Sequence, residues 1–349
     1  TWKAGASWTP VDMISFRGTV SEAVRAPNIA ELFDPRLPIT INATEDPCDI
    51  TTVGTGTGAR QANCVDSLLN AGVPQGEILD ADGNYIWTNP LTARFNGVSG
   101  GNPDLDVETA ETYTFGVVLQ PLDGLSITID YWDVTIEDAI GAVGARDILT
   151  GCLDSGNYPN LDFCNLFSRR GDGGLNFLET GQINFANLEA SGIDFAVNYD
   201  FFLGENIFGV SLVGSKQEAL DRFFNPVDDS DVNPELEEVQ VPEWSANLNL
   251  SYDRGPLSVG WQTLYMSRQS VDEIEDVLGL NGNQALYGSE GFFDEVFIHD
   301  LSVTFALNDS MSFYGGVNNV TDEAPFATQT AWPVGPRGRT YFLGLVYQP

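Results

Sequence analysis

Residues 192–201 read GIDFAVNYDF. Ile193, Phe195, Val197, Tyr199 and Phe201 alternate with Asp194, Ala196, Asn198 and Asp200. Successive side chains of an extended chain point to opposite faces, so this is a strand with an apolar side and a polar side. What covers the apolar side decides the fold. A second layer of protein would make a sandwich, and hydrocarbon would make a membrane barrel.

The same alternation recurs. One face collects Trp2/Ala4/Ala6/Trp8, then Ile14/Phe16/Gly18/Val20, Tyr113/Phe115/Val117/Leu119 and Leu125/Ile127/Ile129/Tyr131. Further on come Phe208/Val210/Leu212, Ala246/Leu248/Leu250/Tyr252 and Leu257/Val259/Trp261/Tyr265. The last are Leu301/Val303/Phe305/Leu307, Met311/Phe313/Val317 and Tyr341/Leu343/Leu345/Tyr347, making eleven strands with the quoted one. Short links (PVDM, PLDG, FLGEN, DRGP, NDS) alternate with long ones at about 23–108, 140–182, 217–240, 268–291 and 320–336. Such alternation is expected of an antiparallel up-and-down meander with all tight turns at one end, as in outer-membrane barrels with short periplasmic turns and long extracellular loops.

Three features favour hydrocarbon over a second sheet. Trp8, Tyr199, Phe201, Tyr252 and Tyr347 lie toward the short-turn end, and Trp2, Tyr113, Tyr265 and Tyr341 toward the other, as two interfacial girdles would. The opposite face is small and hydroxylic, suited to a wet lumen. The strands are long enough to cross a bilayer when tilted. A sheet in lipid must close, and eleven strands with no partner for either end predict part of a larger barrel. In LSITIDYWDVTIEDAI (125–140) the apolar phase changes after Tyr131 to Trp132, Val134 and Ile136. This predicts a β-bulge near Tyr131-Trp132, or a segment 132–139 that has left the bilayer.

Among 349 residues, 50 acidic side chains face 15 basic ones, a formal net charge of −35. This argues against nucleic acid, whose phosphates require Lys and Arg. It suits solvated loops, cationic ligands or divalent ions bridging to lipopolysaccharide. No run reaches about 18 apolar residues, so no spanning helix is expected. The chain opens as a strand with no signal peptide, and its natural start is expected upstream. Cys48, Cys64, Cys152 and Cys164 form two sequence-local pairs in polar segments. Local pairing is the economical choice among three connectivities, and it implies an oxidising compartment. No C-x-x-C or neighbouring His supports zinc.

Four stretches carry a family resemblance. SFRGTVSEAVRAPNIAELFDP (15–35) contains Arg25, Ala26, Pro27, Asn28, Glu31, Leu32 and Phe33, and GNPDLDVETAETYTFGV (101–117) contains Gly101, Asn102 and Pro103. GVNNVTDEAPF (316–326) contains Asn319, Asp322 and Pro325, and PRGRTYFLGLVYQ (336–348) follows. In order and spacing they resemble the TonB-dependent receptors over nearly the whole chain. That resemblance implies a 22-stranded outer-membrane barrel of which these strands are the C-terminal half. It also implies a plug domain of the same full-length chain, and import driven by the TonB complex. The plug and the TonB-contacting segment are not in this sequence, and its end, Pro349, departs from the usual terminal aromatic.

Read from the residues alone, Arg17 and Arg25 suit structural ion pairs with nearby carboxylates, or contacts to a plug or an acidic ligand. Asn28, Glu31 and Asp104 suit loop ordering by hydrogen bonds. Pro27 and Pro103 set chain direction where pairing must stop. Catalytic signals are thin, and the expectation is a non-enzyme with no cofactor or metal. His299 is the only histidine, and a Ser-His-Asp triad would have to use it with Asp300. Fifty carboxylates make chance glycosidase-like pairs inevitable. GTGTG (54–58) lacks the Lys-Ser/Thr of a phosphate loop. NPVDDSDVNPELEE (225–238) offers oxygens for calcium without EF-hand spacing. Loop aromatics Tyr85, Trp87, Tyr158, Phe224 and Trp332 are candidate ligand contacts. The expected function is uptake of a scarce large ligand: siderophore-iron, cobalamin, oligosaccharide or peptide. The alternatives are a secreted β-sandwich adhesin or carbohydrate-binding module, and an outer-membrane barrel hydrolase.

Overall fold

Eleven strands follow one another in a single antiparallel path, described by a computed structural model that covers residues 1–91, 93–223, 232–280, 285–327 and 331–348. They are β1 (Trp2–Val11), β2 (Ile14–Arg25), β3 (Glu108–Leu122), β4 (Leu125–Val143), β5 (Leu175–Leu203), β6 (Asn206–Phe223), β7 (Trp244–Arg254), β8 (Leu257–Met266), β9 (Val296–Asn308), β10 (Met311–Asn318) and β11 (Thr340–Tyr347). Each pairs with the next in sequence order, and β1 and β11 are the two edges of an open sheet. Five links are two-residue turns: 12–13, 123–124, 204–205, 255–256 and 309–310. Gly204 and Gly255 open two of them at φ 64° and 53°, a region that suits a primed hairpin turn and disfavours a Cβ. The other five links are long, at 26–107, 144–174, 224–243, 267–295 and 319–339.

No second sheet covers the apolar strips among the described residues. Trp8 is 66% exposed, Phe115 60% and Leu343 86%. The sandwich alternative therefore fails, because its apolar face would lie under another layer. Rings gather at the tight-turn end, where Tyr199 and Phe201, Phe201 and Phe208, and Phe208 and Tyr252 lie 5.0, 4.9 and 5.2 Å apart. The other face is polar. Arg17, Gly116 and Asp130 form one cross-strand row. Asp130 reaches over Gly116, where a Cβ would collide with it, and takes the Arg17 guanidinium on both oxygens.

The bulge expected at Tyr131-Trp132 is not there. β4 pairs continuously through both residues with β3 and β5, and Trp132 lies over Gly192. The irregularity comes later, between Ile136 and Ile140, where Asp138 has φ 53°. A second sits across the sheet, where Gln217 and Ala219 of β6 flank one step of β5.

Strands also run further than periodicity indicated. β5 has 29 residues. At about 3.3 Å per residue this is about 95 Å, far beyond the ~30 Å hydrocarbon core even when tilted. Its loop-side half therefore stands clear of any bilayer, and residues 175–182 are strand rather than link. The largest buried core of the described chain is built there, from the links 26–107 and 144–174 and the neighbouring strand ends.

Candidate ligand-binding face at the long-loop end

Two motifs far apart in sequence close on each other at the mouth of β2 and β3. Arg25 Nη2 donates to Glu108 Oε1 at 2.6 Å, and Arg25 Nη1 to both Glu31 oxygens at 3.1 Å. Glu31 sits in the short helix Ile29–Phe33, capped reciprocally: Glu31 N donates to Asn28 Oδ1 at 2.9 Å, and Asn28 N to Glu31 Oε2 at 2.7 Å. The GNP turn locks on from the other side. Asn102 N donates to the Glu31 carbonyl at 2.8 Å, and Gly101 N to the Asp34 carbonyl at 3.1 Å. A Cβ on Gly101 would sit 2.6 Å from Asp34 N and 2.7 Å from Phe33 N. Asn102 Nδ2 donates to the Gln182 carbonyl at 3.1 Å, tying both motifs to β5. Asp104 contributes its backbone N–H, which Asn102 Oδ1 accepts at 2.9 Å.

Asn319 and Asp322 organise the last link similarly. Asn319 (φ 54°) donates its N–H to Asp300 Oδ1 at 2.7 Å, and its side chain brackets Glu323 through Nδ2 to O and N to Oδ1. Asp322 Oδ1 accepts the Arg339 N–H at 2.7 Å. Asn and Asp tolerate this left-handed backbone better than other non-glycine residues.

Above the motifs, the first two long links fold into one head. Disulfides join Cys48 to Cys64 and Cys152 to Cys164, each within its own link. The links are joined across by charge. Arg169 donates to both Asp46 oxygens at 2.6 and 2.8 Å, with side chains only 3% and 0% exposed. It also donates to the Gly173 carbonyl at 2.8 Å and lies 5.8 Å from the Trp87 ring centre. Arg60 grips Asp154 through Nε and Nη2, both side chains 8% exposed.

This head takes up three of the loop aromatics. Trp87, 4% exposed, is buried in that core, which links of this length can build; Tyr85 and Tyr158 are half-buried against it, and Tyr158 also lines a recess of about 310 Å³. Tyr85 Oη donates to the Cys48 carbonyl at 2.6 Å. Burial pushes the Tyr85 hydroxyl well above the usual phenol range; the Arg169 charge opposes this, while Asp46 and Asp49 add to it. Burial would raise Asp49, but donation from the Thr51 hydroxyl and from the N–H groups of Asn89 and Thr51 outweighs it and holds the carboxyl low. Phe224, and residues 225–231 of the calcium candidate, lie outside the described residues.

Trp332 stays at an opening. Its indole donates to Gln269 Oε1 at 3.1 Å beside a recess of about 750 Å³ that Asp194, Gln217 and Asn247 also line. A second recess, about 450 Å³, runs along the polar face past Asn198, Asp200, Ser211, Asn249, Gln262 and Ser302. The largest, about 950 Å³, lies between the head and the tops of β4 and β5, lined by Asp104, Asp106, Asp162, Asn184, Phe163 and Phe185 among others. Near helix Ile274–Leu278, Glu275 is 8% exposed and its Oε2 has no partner among the described residues. Burial, then Glu273, Asp276 and Glu235, push its carboxyl up. Burial also raises Glu238; the Ile274 N–H opposes this and Glu235, Glu275 and Glu273 reinforce it.

The triad reading of His299 is not assembled. Its Nδ1 lies 2.9 Å from Thr263 Oγ1 and its ring 5.2 Å from Trp261, while the Asp300 carboxylate is engaged by Asn319. Residues 299 and 300 are adjacent on a strand and so face opposite sides. Glu108 lies inside the GNPDLDVE motif, yet its part as the Arg25 counter-ion was not singled out in the sequence. Asp46–Arg169 and Arg60–Asp154 leave no local pattern at all.

A single antiparallel meander, bare and apolar outside, polar inside, with tight turns at one end and structured loops at the other, defines a transmembrane β-barrel wall. Residues 1–320 match the family model described as TonB dependent receptor-like, beta-barrel, and the chain belongs to that family. No curated protein matches. Among solved structures, the siderophore receptor PirA from Acinetobacter baumannii is 16% identical with a TM-score of 0.55, over 99% of this chain and 41% of that one. A mutant of the ferric enterobactin receptor PfeA from Pseudomonas aeruginosa is 15% identical with a TM-score of 0.57, over 98% and 39%. These likenesses concern the fold. The chain spans about two fifths of the length of those receptors.

Proposed function

We propose that the chain is the C-terminal wall of an outer-membrane receptor that imports a scarce large ligand with energy relayed by TonB in a Gram-negative bacterium. Siderophore-iron, cobalamin and oligosaccharide are the ligand classes to try first; the likeness to PirA, a siderophore receptor, and PfeA, a ferric enterobactin receptor, favours the first. The observation that carries the reading is the pairing of an exposed apolar outer face with a disulfide-closed head at the long-loop end. The head and the 950 Å³ recess beneath it would meet ligand outside the cell. The polar inner wall would face the plug of the same full-length chain. Nothing in this reading requires a covalent step, a cofactor or a resident metal.

The test is uptake by cells carrying the full-length receptor, with labelled ferric siderophores, cobalamin and oligosaccharides, with and without TonB. Accumulation of at least one ligand that vanishes without TonB is the expected result. Accumulation unaffected by loss of TonB, or none attributable to the receptor across the panel, would refute it.

A further inference from the structure

One buried amide ties together the last three long links. Gln269 is fully buried, and its Oε1 accepts from the Gln240 N–H at 2.7 Å and from the Trp332 indole at 3.1 Å. Both donors belong to residues that line the recess of about 750 Å³. The other half of the amide is unanswered: Gln269 Nε2 is buried and has no partner among the described residues. A buried donor without an acceptor is costly, and native chains keep few of them.

Two cross-strand rows of the inner face form the floor of this recess. Ala196, Val213, Asn247 and Leu264 are paired neighbours in one row. Asp194, Ser215, Ser245 and Met266 are paired neighbours in the next. Asp194 stands opposite Asp130, which holds Arg17 on that face. Val213 is 51% exposed there, so the recess has an apolar half made by Val213, Leu264, Met266 and Trp332.

The polar groups left over are of both kinds. The Asp194 carboxylate, which only accepts, has no hydrogen-bond or ion-pair partner among the described residues. Asn247 Oδ1 accepts from Gln262 Nε2 at 2.9 Å, which leaves its Nδ2, a donor, without an acceptor among the described residues. Among the described residues no Lys or Arg lines the recess. Arg17, Arg222 and Arg268 are engaged by Asp130, Glu235 and Glu237. The recess under the head has the same sign: Asp104, Asp106 and Asp162 line it, and Arg36 there is engaged by Glu179.

An anionic ligand would set its charge against an unpaired carboxylate. An ammonium group only donates, and would leave Asn247 Nδ2 and Gln269 Nε2 without acceptors. A hydroxyl both donates and accepts. An uncharged ring bearing several hydroxyls answers all three groups and offers a C–H face to the apolar half. We infer that this recess binds a neutral glycan, with Trp332 against the ring face, Asp194 accepting from its hydroxyls and Asn247 donating to them. Gln269 Nε2 takes a ligand oxygen as Trp332 shifts on binding. The inference rests on the receptor reading and adds the ligand class to it. The likeness to siderophore receptors concerns the fold, whereas the recess selects by chemistry.

The experiment uses the full-length receptor in detergent. Calorimetry measures binding of maltotriose, cellotriose, mannotriose and triacetylchitotriose, with ferric enterobactin as the anionic probe. At least one trisaccharide is expected to bind, and Asp194→Asn and Trp332→Ala should each weaken it about tenfold, the effect of losing one charged hydrogen bond or a comparable contact. Trp332→Phe, which keeps a ring, should retain part of the affinity, and the tryptophan fluorescence change on binding should shrink in it. If Trp332→Ala does not fold, the near-isosteric Asp194→Asn still decides. Binding of no trisaccharide, trisaccharide binding within about twofold of the parent in Asp194→Asn, or ferric enterobactin binding that Trp332→Ala weakens would overturn the proposal. Glycan binding without TonB-dependent uptake would count only against the transport reading. TonB-dependent uptake of a siderophore by a receptor that binds no glycan would count only against this inference.

Discussion

Replacing Arg169 with methionine should open the head while leaving the sheet beneath it intact. In the native chain Asp46 is fully covered and its charge is answered by Arg169. Methionine fills much of the same volume but leaves the Asp46 carboxylate, among the described residues, with the Cys48 N–H at 3.1 Å as its remaining donor. Removing one partner of a buried pair costs about 3–5 kcal/mol, because the other charge stays in a poorly polarisable site. At about 1.4 kcal/mol per tenfold, even the lower figure raises the opening equilibrium more than about 100-fold. Hydrogen exchange read by mass spectrometry should show this in the helix Arg60–Ala71 and at residues 43–55, but not in β7 to β9. Adding Asp46→Asn should restore most of the protection, since no buried charge remains. Head exchange within about threefold of the parent in Arg169→Met, or an equal loss of protection across β7 to β9, would refute a head held by this pair.

Breaking Cys48–Cys64 or Cys152–Cys164 by paired alanines should cost about 3 kcal/mol each by the usual loop-closure relation, seen as earlier protease nicking within the affected link. Gly101→Ala should loosen the mouth of β2 and β3 by about 1–3 kcal/mol of overpacking, because its Cβ meets the backbone of Phe33 and Asp34; exchange at residues 28–34 would report it. The Glu238 and Glu275 carboxyls have folded values raised above their unfolded ones, so they favour the folded loop at low pH and that contribution is lost as pH rises through the raised values. Intrinsic-rate-corrected exchange at residues 271–280 should accordingly be slower at about pH 5 than at about pH 8, and Glu275→Gln should flatten the difference.

Much of the wall was readable from one chain. The period of two is a backbone property, so Ile193, Phe195 and Val197 had to share a face whatever lay beside it. Short polar turns every second link dictated the order of pairing, and all eleven strands pair in sequence order. The phase change at Trp132 misled because a single strand cannot show its neighbours: Gly192 opposite leaves space for an indole on the inner face, so no bulge was needed. Asn28 and Glu31 were legible as loop-ordering groups and Arg25 as an ion-pair residue, since capping boxes and nearby carboxylates are local chemistry, whereas Asn102 was legible only as a motif residue.

What only the tertiary structure decided lies above the wall. Asp46 and Arg169 are 123 positions apart, and Arg60 and Asp154 are 94 apart. Charge, burial and partner identity at such separations depend on how two long links pack, and no local periodicity encodes that. Trp87 read as a loop aromatic for the same reason: composition marks a segment as polar and turn-rich, but whether it encloses a core is settled by contacts made across the chain. The outward and inward faces follow from the alternation of side chains. The head and its recess follow from register and packing, which are set by long-range contacts.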